Sequence, residues 1–368
     1  MGGTVIVLGA GATKACGGPL TDQILPAAFS LAARPDAGVN QEFLTCAREF
    51  LNSVFHVPLN STDGADYPSL TLILGLIDMA IDRRHNFGSR WKPSDLAIAR
   101  EAFNYLIFKI LDHQLQTLTE PDLHLRLFEK LYASETERAT VISLNYDLIA
   151  DNSLLRLDQD RNRMFAPIDY GCDIDSAPYS SGGGTAGHMV LKLHGSLNWI
   201  YCPGCHRLTV GISSADRRMV KVLDTVFHAE FQPEESTIER WYAAEGRACR
   251  RCGCNVRPVL ISPTHMKDYR NPHIARVWHR AGEELRAADK VIFIGYSLPS
   301  DDTDVIYLLK RALHWPNGSP ASITVVDYAA GNPAIAEHPV GIRYRSLFGM
   351  DIEWVPGGMK AFVDSLPG

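Results

Sequence analysis

Val190-Leu-Lys-Leu-His194-Gly-Ser-Leu-Asn-Trp199 is the stretch that decides the fold. Apolar residues alternate with polar ones, and the run breaks at His194-Gly195-Ser196. This reads as a strand delivering a histidine to its carboxyl end. In open α/β sheets, ligands bind where strands end at their carboxyl side. Outward from this stretch, other strands end in the same way. TVIVL at 4–8 runs into Gly9-Ala10-Gly11, and TVISL at 140–144 into Asn145. KVIFI at 290–294 runs into Gly295, and SITVV at 322–326 into Asp327. Short β-branched runs of this kind are buried parallel strands. Helical spacing fills the gaps at 19–33, 147–155, 272–288 and 301–313. A longer helical region, about 40–133, contains segments at 41–55, 69–81, 94–118 and 122–132. Apolar strands alternating with helices predict an α/β fold, a Rossmann-like doubly wound parallel sheet.

The expected organisation follows. Residues 1–198 form the first part of the sheet domain, with the helical insertion at about 40–133. Residues 199–256 form a small zinc-ribbon-like module, and 257–368 the second part of the domain. The Gly-rich 180–187 (SSGGGTAG) reads as an exposed loop, and 58–67 as a turn-rich linker. No internal repeat is visible.

The 368 residues are 46 % hydrophobic, enough for a large core, with a formal net charge of -6. That charge provides no global basic field for nucleic acid. No run of about 18 apolar residues suggests a membrane span. The opening MGGTVIVLGAG has no basic region before its apolar run and reads as a core strand. A cytoplasmic protein is therefore expected. Four of the eight cysteines form two pairs, Cys202-x-x-Cys205 and Cys249-x-x-Cys252, which favour metal over disulfides. Four thiolates can hold a structural Zn²⁺ and leave no open position for chemistry. Cys254 is an alternative to Cys252, and His206 is nearby. Cys16, Cys46 and Cys172 stand alone.

The strand-end residues carry the candidate chemistry. Gly9-Ala10-Gly11 permits a sharp turn and a close approach to a pyrophosphate at a helix N-terminus. The full GxGxxG spacing is absent, since position 14 is Lys14, and the alternative is a tight turn without ligand. Asn145, Asp147, His194, Ser196 and Ser297 follow buried strands, where unmet polar groups cost about 1–3 kcal/mol. They either satisfy one another as caps or converge on a ligand.

The order GAGAT, GGP, LNYD, LHGS, paired CxxC, GYSL and VVD resembles the sirtuin superfamily. The resemblance spans residues 9 to about 327. It implies that Ala10, Gly11 and Ala12 line a pyrophosphate. It implies that Asn145 holds the nicotinamide ribose or a water, that Asp147 faces the carboxamide, and that His194 is the general base. Gly295, Ser297 and Asp327 are expected at the adenosine half. The implied cofactor contacts also include Gly9, Thr13, Pro19, Ser196 and Leu298. NAD⁺ is thus the expected substrate and Zn²⁺ the expected structural metal.

Two features depart from the protein-deacylating sirtuins. Pro19-Leu-Thr-Asp22 replaces Pro-Asp-Phe-Arg, and Pro258 to Thr264 carries prolines where a peptide strand would pair. The chain looks more like the sirtuin-like, NAD-hydrolysing domains of prokaryotic antiphage defence systems. The expected activity is therefore an NAD⁺ glycohydrolase. An NAD-dependent deacylase or ADP-ribosyltransferase, and a non-catalytic NAD or ADP-ribose sensor, are the alternatives. Such effectors work as homo-oligomers or beside an ATPase or an Argonaute-like protein. No direct nucleic-acid contact and no membrane partner are expected.

Overall fold

The structure is a computed structural model. It describes residues 3–32, 34, 38–61, 67–132, 139–161, 168–175, 187–211, 248–261, 270–313, 322–349 and 351–367. Residues 212–247 of the insert between the cysteine pairs, most of the Gly-rich loop and the Pro263-Thr264 break lie outside the described residues. The chain divides into two compact units. One comprises Met1–Cys16, Thr119–Leu260 and Tyr269–Gly368; the other comprises Gly17–Leu118 and Ile261–Asp268.

The first unit is built on a six-stranded sheet. Its strands are β1 (Gly3–Leu8), β2 (Ala139–Ser143), β3 (Met189–Lys192), β7 (Ala288–Ile294), β8 (Ser322–Val326) and β9 (Ile352–Val355). The spatial order is β3-β2-β1-β7-β8-β9, and every pairing is parallel. Val5, Ile6, Val7, Val141, Ile142, Val291, Ile292, Phe293 and Ile294 are all buried. Side chains on successive strand residues point to opposite faces, so burial of consecutive residues means both faces are covered. Each such side chain contributes about 1.5–3 kcal/mol by leaving water.

The strand order reverses between β1 and β7. From β1 the chain moves outward to β2 and β3; from β7 it moves the other way. With right-handed crossovers this reversal winds helices onto both faces. The expected doubly wound parallel sheet is therefore present, and its switch point lies at the carboxyl ends of β1 and β7. The helices of this unit are α1 (Ala10–Ala15), α6 (Leu123–Leu131), α7 (Ile149–Asp160), α8 (Pro272–Ala287), α9 (Thr303–Leu313), α10 (Pro339–Phe348) and α11 (Gly358–Ser365). Asn271 starts α8, its Oδ1 accepting from His273 N at 2.9 Å, with Pro272 at the first helical position.

A second, three-stranded antiparallel sheet has the order β5-β4-β6. Its strands are β4 (Gly195–Tyr201), β5 (Leu208–Val210) and β6 (Arg257–Leu260). The chain leaves β3, turns at Leu193-His194 and enters this sheet at once. Sequence reading expected the cysteine block to begin its own module after residue 198 and did not anticipate β4.

The other unit is helical: α2 (Ile24–Ala32), α3 (Gln41–Phe55), α4 (Leu70–Arg83) and α5 (Pro93–Leu115). Asn40 caps α3 and Ser69 caps α4 through their side-chain oxygens. Pro93 opens α5, with Asp95 accepting from Lys92 N at 3.0 Å. Helix α5 is the centre, packed by α2, α3 and α4. Phe50 meets Phe55, Phe87, Trp91 and Phe103 edge-on, the orientation aromatic quadrupoles favour.

Candidate active site and metal centre

The carboxyl ends of β1, β2 and β3 bring the first group of residues together. Asn145 Nδ2 donates to Gly9 O at 2.9 Å, joining the end of β2 to the turn after β1. Thr13 donates its hydroxyl to Asp147 Oδ2 at 2.5 Å, and Asp147 Oδ1 accepts from Ile149 N at 3.0 Å. The second bond holds the start of α7. His194 Nδ1 lies 3.1 Å from Leu144 O. A carbonyl only accepts, so this contact makes Nδ1 the donor. Trp278 donates from its ring nitrogen to Leu193 O at 2.9 Å, fixing the carbonyl just before the histidine. Leu197 N donates to Tyr146 O at 3.0 Å.

The glycines here are required by protein packing. The turn after β1 crosses the turn after β7. A Cβ on Gly9 would lie 2.5 Å from Tyr296 Cα, and one on Gly11 2.7 Å from Gly295 Cα. Gly295, at φ +63, would place a Cβ 2.3 Å from Ala12 N. Gly11 N donates to Gly295 O at 2.8 Å and Ala12 N to Gly9 O at 2.9 Å. Two amides that the sequence assigned to a pyrophosphate are thus already bonded within the protein. Gly195 is the tightest: at φ +82, its Cβ would stand 1.9 Å from Val259 O on β6.

The second group lies at the ends of β7 and β8. Tyr344 donates to Tyr296 O at 2.8 Å, and Tyr296 to Asp302 at 2.8 Å. Arg343 donates to Ser297 O from two nitrogens, at 2.9 and 2.7 Å. Leu298 is buried at φ 50. Asp327 lies 3.9 Å from His338 Nδ1. Burial pushes its carboxyl above the usual carboxylate range, opposed by the Tyr328 backbone N–H, His338 and Arg343.

The remaining expected contacts fall as follows. Ala10 is partly exposed on α1, and Ser297 is exposed. Ala12, Thr13 and Ser196 are buried, the last with Oγ 3.5 Å from Tyr146 O. Pro19 belongs to the helical unit.

Sequence reading missed a buried network beside this site. Lys192 is 1 % exposed. Its Nζ donates to Asp147 O and to Asp151 Oδ2, the latter at 3.3 Å. Tyr170 donates to the other Asp151 oxygen at 2.6 Å. Strand alternation alone gives no sign that Lys192 is buried. Beneath the site, Cys16 Sγ is 3.2 Å from His124 Nδ1. Burial raises the Cys16 thiol to about 12 and lowers His124 to about 4, so the pair is neutral and not an activated nucleophile.

The metal centre is compact. One ligand atom each from Cys202, Cys205, Cys249 and Cys252 lie within 4.8 Å of one another. Cys202 and Cys252 sulfurs are 3.3 Å apart, and Cys205 and Cys249 3.6 Å apart. Tetrahedral zinc at its usual bond length of about 2.3 Å separates thiolates by about 3.8 Å, so the set fits Zn²⁺. Zinc bound here would stabilise the fold of the module through its four thiolates. Ile200 and Val256 pack around Cys202 and Cys249. Cys254 stands beside the group: a Cβ on Gly204 would lie 2.4 Å from its sulfur and 3.2 Å from that of Cys252.

No protein-family model and no curated protein sequence matches the chain. Among solved structures, the chain is similar to one described under the mechanism and regulation of Sir2 enzymes, with 15 % identity and a TM-score of 0.44 over 99 % of this chain and 90 % of that one. A Sir2–p53 peptide–NAD⁺ complex has 14 % identity and a TM-score of 0.44 over 98 % and 90 %. A Sir2 enzyme bound to a propionylated peptide has 12 % identity and a TM-score of 0.42 over 98 % and 90 %.

Proposed function

We propose that this chain is an NAD⁺ glycohydrolase, releasing nicotinamide and ADP-ribose. The observation that carries the reading is the His194–Leu144 contact. It anchors the imidazole through Nδ1 at a strand's carboxyl end, in the segment that meets the Leu144-Asn145 turn, and so directs Nε2 away from that carbonyl. In the reaction, the bond from nicotinamide to the ribose breaks and positive charge develops at the anomeric carbon. Water adds there, and His194 Nε2 takes its proton. General base catalysis of this kind is worth about 10²–10⁴-fold. Asn145 uses its amide N–H on Gly9 O, so its oxygen is the end that accepts from a ribose hydroxyl or the water. Asp147 receives the carboxamide, and Ser297, Gly295 and Asp327 the adenosine half. A pyrophosphate over Gly9–Ala12 would compete with Gly295 O for Gly11 N–H.

A second reading has its own observation. Strand β6 is an edge strand in the β5-β4-β6 order, and peptides add to such edges. Pro258 removes one donor from that edge, which weakens an acyl-peptide site without abolishing it. The test is NAD⁺ incubated with pure protein, products resolved by chromatography, with and without acylated peptide or acceptor protein. Nicotinamide and ADP-ribose from NAD⁺ alone support hydrolysis. Nicotinamide release only with an acceptor supports deacylation or ADP-ribosyl transfer. Binding without turnover leaves a sensor.

The departures at Pro19–Asp22 and Pro258–Thr264, which resemble the sirtuin-like effectors of defence systems, support a role in prokaryotic antiphage defence. Because unchecked hydrolysis would drain the host's own NAD⁺, turnover is gated by homo-oligomerisation or by a partner such as an ATPase or Argonaute-like protein. Turnover per chain that is constant across protein concentration, oligomer size and added partner would overturn the gating.

A further inference from the structure

We propose that Lys192 is a positioning residue for this site, acting as a buried cationic clamp on the Leu144–Asp147 turn; the proposal rests on the NAD⁺ reading above. Three residues of the 192–197 segment hold that turn. His194 faces Leu144 O, Leu197 N–H donates to Tyr146 O, and Lys192 Nζ donates to Asp147 O. The same turn is tied to β1 by Asn145 at Gly9 O and by Thr13 at Asp147 Oδ2. Asp147 is therefore gripped at its backbone by Lys192 and at its side chain by Thr13. Removing one grip frees the other residues of the turn to shift against His194.

An ammonium with 1 % exposure needs a reason to be there. Asp151, which is 0 % exposed, provides the counter-charge at 3.3 Å and is itself held by Tyr170. Charge balance alone does not account for Lys192, because an apolar pair of similar volume often serves stability as well or better. What an apolar pair cannot do is donate to Asp147 O.

The test compares Lys192→Met with the double variant Lys192→Met/Asp151→Asn in the full-length chain. The single variant strands a buried carboxylate and melts lower. The double variant removes both charges and regains melting temperature. Its kcat for NAD⁺ is expected to stay down by about 100-fold, the scale of a small misplacement of reacting groups, with KM little changed. Hydrogen exchange without nucleotide is the second readout. The 144–149 backbone in the double variant should exchange faster than wild type while β7 keeps its protection. Turnover restored along with stability, or a 144–149 segment as protected as in wild type, would overturn the clamp. If wild-type protein fails to cleave NAD⁺, the glycohydrolase reading falls, and the exchange comparison still decides whether Lys192 holds the turn.

Discussion

At the scale of single residues, the site depends on which nitrogen of one imidazole holds the proton. His194→Ala is expected to lower nicotinamide release by about 100-fold or more, with an unchanged circular dichroism spectrum. Asn145→Ala should do the same. Wild-type rates in both variants would remove these residues from the reaction. His124 gives a separate, pH-dependent prediction. Burial lowers it to about 4 from an ordinary 6.5, so the folded state binds fewer protons than the unfolded one between these values. Its stabilising contribution is present above pH 6.5 and is lost as pH falls toward 4. The urea midpoint of the wild type should therefore drop more than that of His124→Gln between pH 6.5 and 5. Equal drops would count against a buried neutral imidazole. Lys192 shows why part of this site was hidden in the sequence. A lysine between Leu191 and Leu193 follows strand alternation. Nothing local reveals that its partner, Asp151, comes from a helix 41 residues earlier.

At the scale of elements, β1, β2, β7 and β8 were legible because local β-propensity and burial favour the same residues there. Helix α3 was equally legible because its apolar residues recur at helical spacing over 41–55. Strand β4 was not, although Ser196-Leu197-Asn198-Trp199 alternates: the break at His194-Gly195 reads as a strand end, and its partner β6 starts only at Arg257. Strand β9 and helices α10 and α11 lie beyond the motifs that organised the reading. Gly195 is the point where β3 hands over to β4. Gly195→Ala should cost about 3 kcal/mol or more in urea unfolding, since it adds backbone strain and a clash with Val259 O. A loss below about 1 kcal/mol would mean that β6 can retreat. For the metal module, Cys205→Ser should purify with well under one zinc per chain, whereas Cys254→Ser should keep a full complement by elemental analysis. Zinc lost equally from both would make Cys254 a ligand.

At the scale of the whole molecule, the order of the sheet explains why a chain with no full GxGxxG motif still assembles a strand-end site. The reversal between β1 and β7 leaves two turns crossing at one point, and Gly9, Gly11 and Gly295 are the residues that allow the crossing. Strand β4 begins one residue after His194 and ends one residue before Cys202. Seven residues of continuous strand thus run between the imidazole and the first thiolate. If zinc holds the thiolates, stripping it with a chelator would loosen this strand at its far end and leave the six parallel strands folded.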